Sequence, residues 1–302
     1  MRRLVFLLLL SGCVDSGKPV RPNAYYHDDP LFDVWAPDTQ VGTVLMIDRQ
    51  TSYGIDEILM ARFEPSGDHG IYSVIAEEGD CRLYGSQREC VPYCGWDQEC
   101  ANGVCRPFPT FVPVGDITID GLGDRRTLAI DPSWPDMYRG QPDGTADGMI
   151  DAGATITVAA DGSDQMAGFT ATVSGVSAIA STIEAGAILE LPEADDVELT
   201  WSAPEEGARV RLIFRTQEFD HYGYSEEKLV CDLPDRGVVR VPGSLIGQLP
   251  EMIVPPDPGD FHAGGELAVP SGLIRYRAST VDSEAGRIAV VAAAETQFWA
   301  LH

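Results

Sequence analysis

The sequence predicts an all-β protein, an antiparallel sandwich with a small disulfide-rich knot inserted. Three observations carry this. Short apolar runs alternate with polar residues at period two, and Gly, Pro, Asn and Asp punctuate them every few residues. Five of the seven cysteines crowd between positions 81 and 105. Helical periodicity is nearly absent: only Ser244 to Leu249 could make two turns at most.

Taken in order, the strands begin after residue 40. Val44 to Ile47, Ile58 to Phe63 and Ile71 to Ile75 are short apolar runs separated by turn formers at Gly54, Pro65-Ser66-Gly67 and Glu77 to Asp80. Residues 41–80 therefore read as strands of the sandwich. Positions 81–110 read as the knot. The spacing C-x8-C-x3-C-x5-C-x4-C leaves little apolar material for a core, so disulfides must hold it. Zinc is the competing account, but closely spaced C-x2-C pairs are missing.

Residues 111–302 read as the main sandwich. Ile117 and Ile119 alternate with Asp116, Thr118 and Asp120, and Val197, Leu199 and Trp201 with Glu198 and Thr200. Val210, Leu212 and Phe214 oppose Arg209, Arg211 and Arg215, and Ile274 and Tyr276 alternate with Arg275 and Arg277. Each alternation implies one wet face. Thr155 to Val158, Phe169 to Val173, Val238 to Val241 and Ile288 to Val291 add further strands. Many short strands with this punctuation suggest an immunoglobulin-like architecture, although the Cys…Trp…Cys spacing of true immunoglobulin domains is missing.

The N-terminus has the layout of an export signal. Arg2 and Arg3 precede an apolar stretch, Leu4 to Leu10, and small residues follow before Cys13. The stretch is too short to span a bilayer, which takes about 20 apolar residues. Leu10-Ser11-Gly12-Cys13 resembles the lipobox of bacterial lipoproteins. That resemblance implies a signal peptide over 1–12 and a diacylated, palmitate-bearing Cys13 as the first mature residue. It places the protein in the cell envelope. Val14 replaces the Asp of an inner-membrane retention signal, which favours the outer membrane. The Cys-rich stretch with Arg106-Pro107-Phe108-Pro109 resembles small EGF-like knots. It is also similar to Cys-rich inserts in lipoproteins of myxobacteria and related Gram-negative bacteria, neither of which carries a known active site.

Lipidation of Cys13 would leave six cysteines, Cys81, Cys90, Cys94, Cys100, Cys105 and Cys231, an even number suited to disulfides in an exported chain. If all six pair, a bridge joins distant Cys231 to the cluster. Residues 13–40, with Pro19, Pro22, Pro30 and Pro37, read as an extended tether. Its aromatic residues Tyr25, Tyr26, Phe32 and Trp35 are expected to lie along the domain rather than to form a ligand platform.

Removing the signal leaves 19 basic against 47 acidic residues, a net charge of −28. Such a field repels phosphate backbones, so nucleic acid is not an expected partner. The best ligand-site candidate is the acidic loop holding Asp143, Asp147 and Asp151, which looks like the start of an EF-hand or dockerin calcium loop. Ala154 stands where the final carboxylate belongs, so a Gly-rich turn is the preferred account and Ca²⁺ the second. No other cofactor is expected. Catalytic templates fail: five scattered histidines form no H-E-x-x-H, and no G-x-S-x-G or phosphate loop occurs. Ser225-Glu226-Glu227-Lys228 matches S-x-x-K but precedes a strand, not a helix. No residue is assigned a catalytic role. The expected function is non-catalytic: binding, adhesion or envelope structure, with an envelope protein or glycan as partner and the membrane reached through the lipid. An envelope hydrolase or carbohydrate-binding module is the alternative.

Overall fold

A computed structural model describes residues 40–64, 72–86, 90, 92–95, 98–101, 104–107, 110–131, 134–140, 148–220, 223–249, 267–268 and 270–301. Most of them lie in strands. In chain order these are β1 (Gln40–Thr51), β2 (Gly54–Phe63), β3 (Tyr72–Glu78), β4 (Cys81–Ser86), β5 (Gln98–Ala101), β6 (Val104–Pro107), β7 (Ile117–Leu122), β8 (Asp124–Asp131), β9 (Trp134–Arg139), β10 (Thr155–Gly162) and β11 (Ala167–Ser174). There follow β12 (Ile188–Glu190), β13 (Val197–Thr200), β14 (Arg209–Asp220), β15 (Gly223–Pro234), β16 (Val238–Val241), the one-turn helix α1 (Gly243–Ile246), β17 (Leu267–Ala268), β18 (Ser271–Ser283) and β19 (Gly286–Leu301). The all-β, sandwich-like expectation holds, and the strand runs singled out above coincide with strands, except that Ile71 lies outside the described residues and Trp201 lies just past the end of β13.

One large sheet dominates, in the order β11-β10-β7-β8-β9-β2-β1-β19-β18-β14-β15-β4-β3, with β12 against β19 and β17 against β14. Most neighbours are antiparallel hairpin partners, but β19 runs parallel to both β1 and β12. The sheet is therefore mixed. Parallel pairing suits strands buried on both faces, and β1 and β19 carry unbroken apolar runs, Val44 to Ile47 and Ile288 to Ala294, all buried.

The sheet bends in opposite senses at its two ends. On one side β11 closes onto β18 and β19. The layer between them holds Val44, Met46 and Phe63, Ile117 and Ile119, Ile156 and Val158, Phe169 and Val173, and Val290. Phe63 meets Tyr138 edge-on with ring centroids 6.0 Å apart, and the Tyr138 hydroxyl accepts from the Val114 N–H at 2.8 Å. Gly121 sits at a register shift in β7 with φ +99°. A Cβ there would lie 2.3 Å from the Thr155 carbonyl, so only glycine lets β10 approach.

On the other side, β13 and β16 form a two-stranded sheet that covers β14, β15 and β18 together with α1. This core contains Leu199, Trp201, Leu212, Phe214, Leu229, Val239, Leu245 and Phe298. The opposite face of the same strands curls inward. From Phe63 to Tyr72 the chain takes nine steps, a reach of about 32 Å at most. Seven strand spacings of about 4.8 Å separate β2 from β3, about 34 Å on a flat sheet before any stagger. The β14–β3 arm must therefore fold back toward β2. It forms a trough whose floor is Leu45, Ile47, Met60, Ile213, Val230, Ile274, Ala289, Val291 and Ala293.

The disulfide expectation holds for the described cysteines. Cys81 pairs with Cys231, 150 residues away, and Cys94 with Cys105; Cys90 is also disulfide-bonded. Cys231 does reach the cluster, but its partner lies in β4. The long bridge thus joins two neighbouring strands of the sheet, in register at Cys231↔Cys81, instead of clamping the knot. The side chain of Cys100 lies outside the described residues.

Candidate interaction surface

The trough collects a band of charge across five strands. Arg49 on β1 lies beside Glu295 on β19, Glu295 beside Ile274 on β18, Ile274 beside Arg211 on β14, and Arg211 beside Asp232 on β15. Side chains paired across a ladder share a face, so one row of the sheet delivers all of them to the trough. Arg49 Nε donates to Glu295 Oε2 at 2.6 Å. The Asp232 carboxylate accepts from Arg209 Nε and Arg211 Nε, each at 2.8 Å, and from the Tyr276 hydroxyl at 2.8 Å. Lower in the trough, Lys228 Nζ stands 5.9 Å from the centroid of the Tyr84 ring, and the Arg211 guanidinium stands at the same distance from that of Tyr276.

Alternation predicts that the arginines of β14 and β18 face water, and here the structure corrects the expectation. Arg211 is 6% exposed and Arg275 is 1% exposed. The residues sharing each face are as the period dictates. Which face is wet is not, because both faces of these strands are covered. Arg275 points into the β13–β16 core, where it meets Asp235 at 2.8 Å and the Ser177 hydroxyl at 2.7 Å. Arg209, at 40% side-chain exposure, stays at the rim of the trough.

Burial pushes the Tyr276 phenol up to about 12, with the Asp232 carboxylate acting in the same direction and the Arg211 and Arg209 guanidiniums opposing it. The neutral phenol is the form the fold prefers. Its contribution is complete below the ordinary value of 10 and is lost as pH rises through about 12. Two pH units correspond to about 3 kcal/mol. Tyrosinate absorbance should show a phenol titrating near pH 12 that is missing in Tyr276→Phe. Wild-type stability should fall from pH 10 to 12 more steeply than that of the variant. Identical titration curves would contradict this.

The acidic-loop candidate is only partly in view. Asp143 and Asp147 lie outside the described residues, and Asp151 is exposed at the turn into β10. What the sequence does not signal is Asp48 on β1. Its carboxylate accepts from the Met149 N–H at 2.9 and 3.1 Å and the Ile150 N–H at 2.9 Å, so it holds the loop's end. Gly148, at φ +81°, lets the backbone come this close, since a Cβ would meet Asp48 Oδ2 at 2.6 Å. Burial raises the Asp48 pKa above its ordinary value, while the two backbone N–H bonds oppose the shift. A residue about a hundred positions away cannot be found from the loop's own pattern.

The sulfur atoms of Cys90, Cys94 and Cys105 lie within 4.8 Å of one another, a spacing that thiolates could use for a metal. They are disulfide-bonded instead. Lys228 of the S-x-x-K match is on strand β15, not a helix. All five histidines, His27, His69, His221, His262 and His302, lie outside the described residues, as do Tyr25, Tyr26, Phe32, Trp35 and Cys13. Tyr93 and Val104 in the knot and Val74 and Ile75 on β3, the terminal strand of the sheet order, are exposed apolar side chains. Among the described residues no helix is long and apolar enough to cross a membrane. Among the described residues of the trough, Arg49 pairs with Glu295, and Arg209 and Arg211 pair with Asp232. No family model matches the chain, and no curated protein matches it.

Proposed function

We propose that this is a lipoprotein of the bacterial envelope, anchored in the outer membrane through acyl chains on Cys13. In this reading it serves a non-catalytic binding, adhesion or envelope-structural role. The oxidised cysteines are the observation that carries the reading. Cys81–Cys231, Cys94–Cys105 and oxidised Cys90 suit an oxidising compartment, since thiols stay reduced in the cytosol of most organisms. An exported chain with this N-terminus needs its seventh cysteine for the lipid, and stable anchoring takes more than one acyl chain. The disulfide-held sheet is a rigid support, and the exposed Tyr93 and Val104 of the knot are side chains through which a partner protein or glycan would be met.

Metabolic labelling with palmitate followed by membrane fractionation tests the anchor. The wild type should incorporate label and sediment with the outer membrane. Cys13→Ser should lose the label entirely and leave the membrane fraction. A wild type that takes up no label overturns the assignment.

A further inference from the structure

We propose that the trough is a docking surface for an extended, acidic, aromatic-rich peptide, and that its occupant is this chain's own segment 23–39. The floor residues Leu45, Ile47, Ile274, Ala289, Val291 and Ala293 are completely buried. Yet every member of that cluster, including the partly buried Ile58, Tyr84 and Ala278, belongs to strands of the one curled sheet. The other two cores each have a facing layer, in one the β7, β10 and β11 end of this same sheet curled over and in the other β13, β16 and α1. No described element plays that part here. Lys228 and Arg211 are 6% exposed, and both hold partners beyond those named above. The trough is therefore both apolar and covered.

Charge, composition and reach select the cover. Arg49, Arg209, Arg211 and Lys228 outnumber Glu295 and Asp232 along the band, in a chain whose net charge is −26. Segment 23–39 is the complement: Asp28, Asp29, Asp33 and Asp38, no Lys or Arg, and Tyr25, Tyr26, Leu31, Phe32, Val34 and Trp35. It enters β1 at Gln40, on the strand that supplies Leu45, Ile47 and Arg49 to the trough. Counting back from Gln40, Trp35 reaches about 17 Å and Tyr25 about 50 Å when extended, against about 19 Å across the four strand spacings from β1 to β15. Residues 250–266 are acidic too, but they start from Leu249 in the core beneath β13 and β16 and return at β17, beside Gln217 near the end of β14.

This inference rests on the lipid anchor only for its consequence. A docked segment leaves about ten residues between Cys13 and the fold, a leash of about 35 Å, where the undocked chain would allow about 95 Å. The domain would then sit against the membrane with a fixed side toward it.

Hydrogen exchange on the mature chain with Cys13→Ser tests docking without any lipid, so its outcome is independent of the anchor assignment. Backbone amides of 23–39 should exchange at least about ten-fold slower than those of the same sequence as a free peptide. Phe32→Ser with Trp35→Ser should return them to the free rate while β18 and β19 stay protected. Should the double variant lose protection in β18 and β19 as well, the wild-type rates decide alone. Free-peptide rates for 23–39 in the wild type overturn the proposal. So does protection confined to 250–266, or protection of 23–39 that disappears on dilution to monomer, which would assign the trough to another segment or to a second copy.

Discussion

Replacing Cys81 and Cys231 together by alanine is expected to lower the unfolding free energy by about 5 kcal/mol. The bridge closes a loop of 150 residues, and the chain-entropy model gives a stabilisation of about that size for a loop so long. The Cys94–Cys105 bridge closes only 11 residues and should be worth about 3 kcal/mol in the same terms. Its loss should also stay local, because the described residues between 90 and 107 belong to none of the three cores. The long bridge, by contrast, lies in the core that β13, β16 and α1 cover, with Cys81 and Cys231 both buried. Urea unfolding without reductant measures the difference. The double variant should show a lower midpoint and a larger slope, since its denatured chain expands further. A loss under about 1 kcal/mol would mean that the denatured ensemble does not feel the cross-link.

The second large effect is expected at Arg275. Asp235 has no side-chain exposure and accepts from Arg275 Nε at 2.8 Å, Trp201 Nε1 at 2.6 Å and the Glu205 N–H at 2.9 Å. Arg275 in turn donates to the Ser177 hydroxyl at 2.7 Å and the Ala203 carbonyl at 3.0 Å. The pair therefore ties the 177–178 and 201–205 segments to β18. Arg275→Met leaves a buried carboxylate without its counter-charge and should cost about 3 to 5 kcal/mol. Arg275→Met combined with Asp235→Leu should recover part of that loss, because no isolated charge remains. Thermal and urea unfolding of the single and double variants decide the matter. A single variant within about 1 kcal/mol of wild type would show that water enters and solvates Asp235.

Much of the fold is legible in the chain. Alternation at Ile117 and Ile119, at Val210, Leu212 and Phe214 and at Ile274 and Tyr276 places strands where they are found, because side-chain period is a property of the backbone itself. The same alternation misplaces Arg211 and Arg275. Periodicity says which residues share a face and nothing about what lies opposite. Cys231 was recognisable as the partner of a distant cysteine, but only the register of β15 against β4 selects Cys81. Of the candidate site, the arginines were visible as residues and invisible as a site. Arg49, Arg211 and Asp232 come together through strand order, and Asp48 reaches its loop across a hundred residues.

By itself, then, the sequence determines an all-β chain, its strand positions and its capacity for disulfides. These follow from local pattern and composition, which each segment carries wherever it goes. The parallel pairing of β1 with β19, the two opposite bends of the sheet, the burial of Arg275 and the charged trough were decided by the tertiary structure alone. Each depends on which distant strands are neighbours, and that is settled by the burial of both faces of the central strands at once.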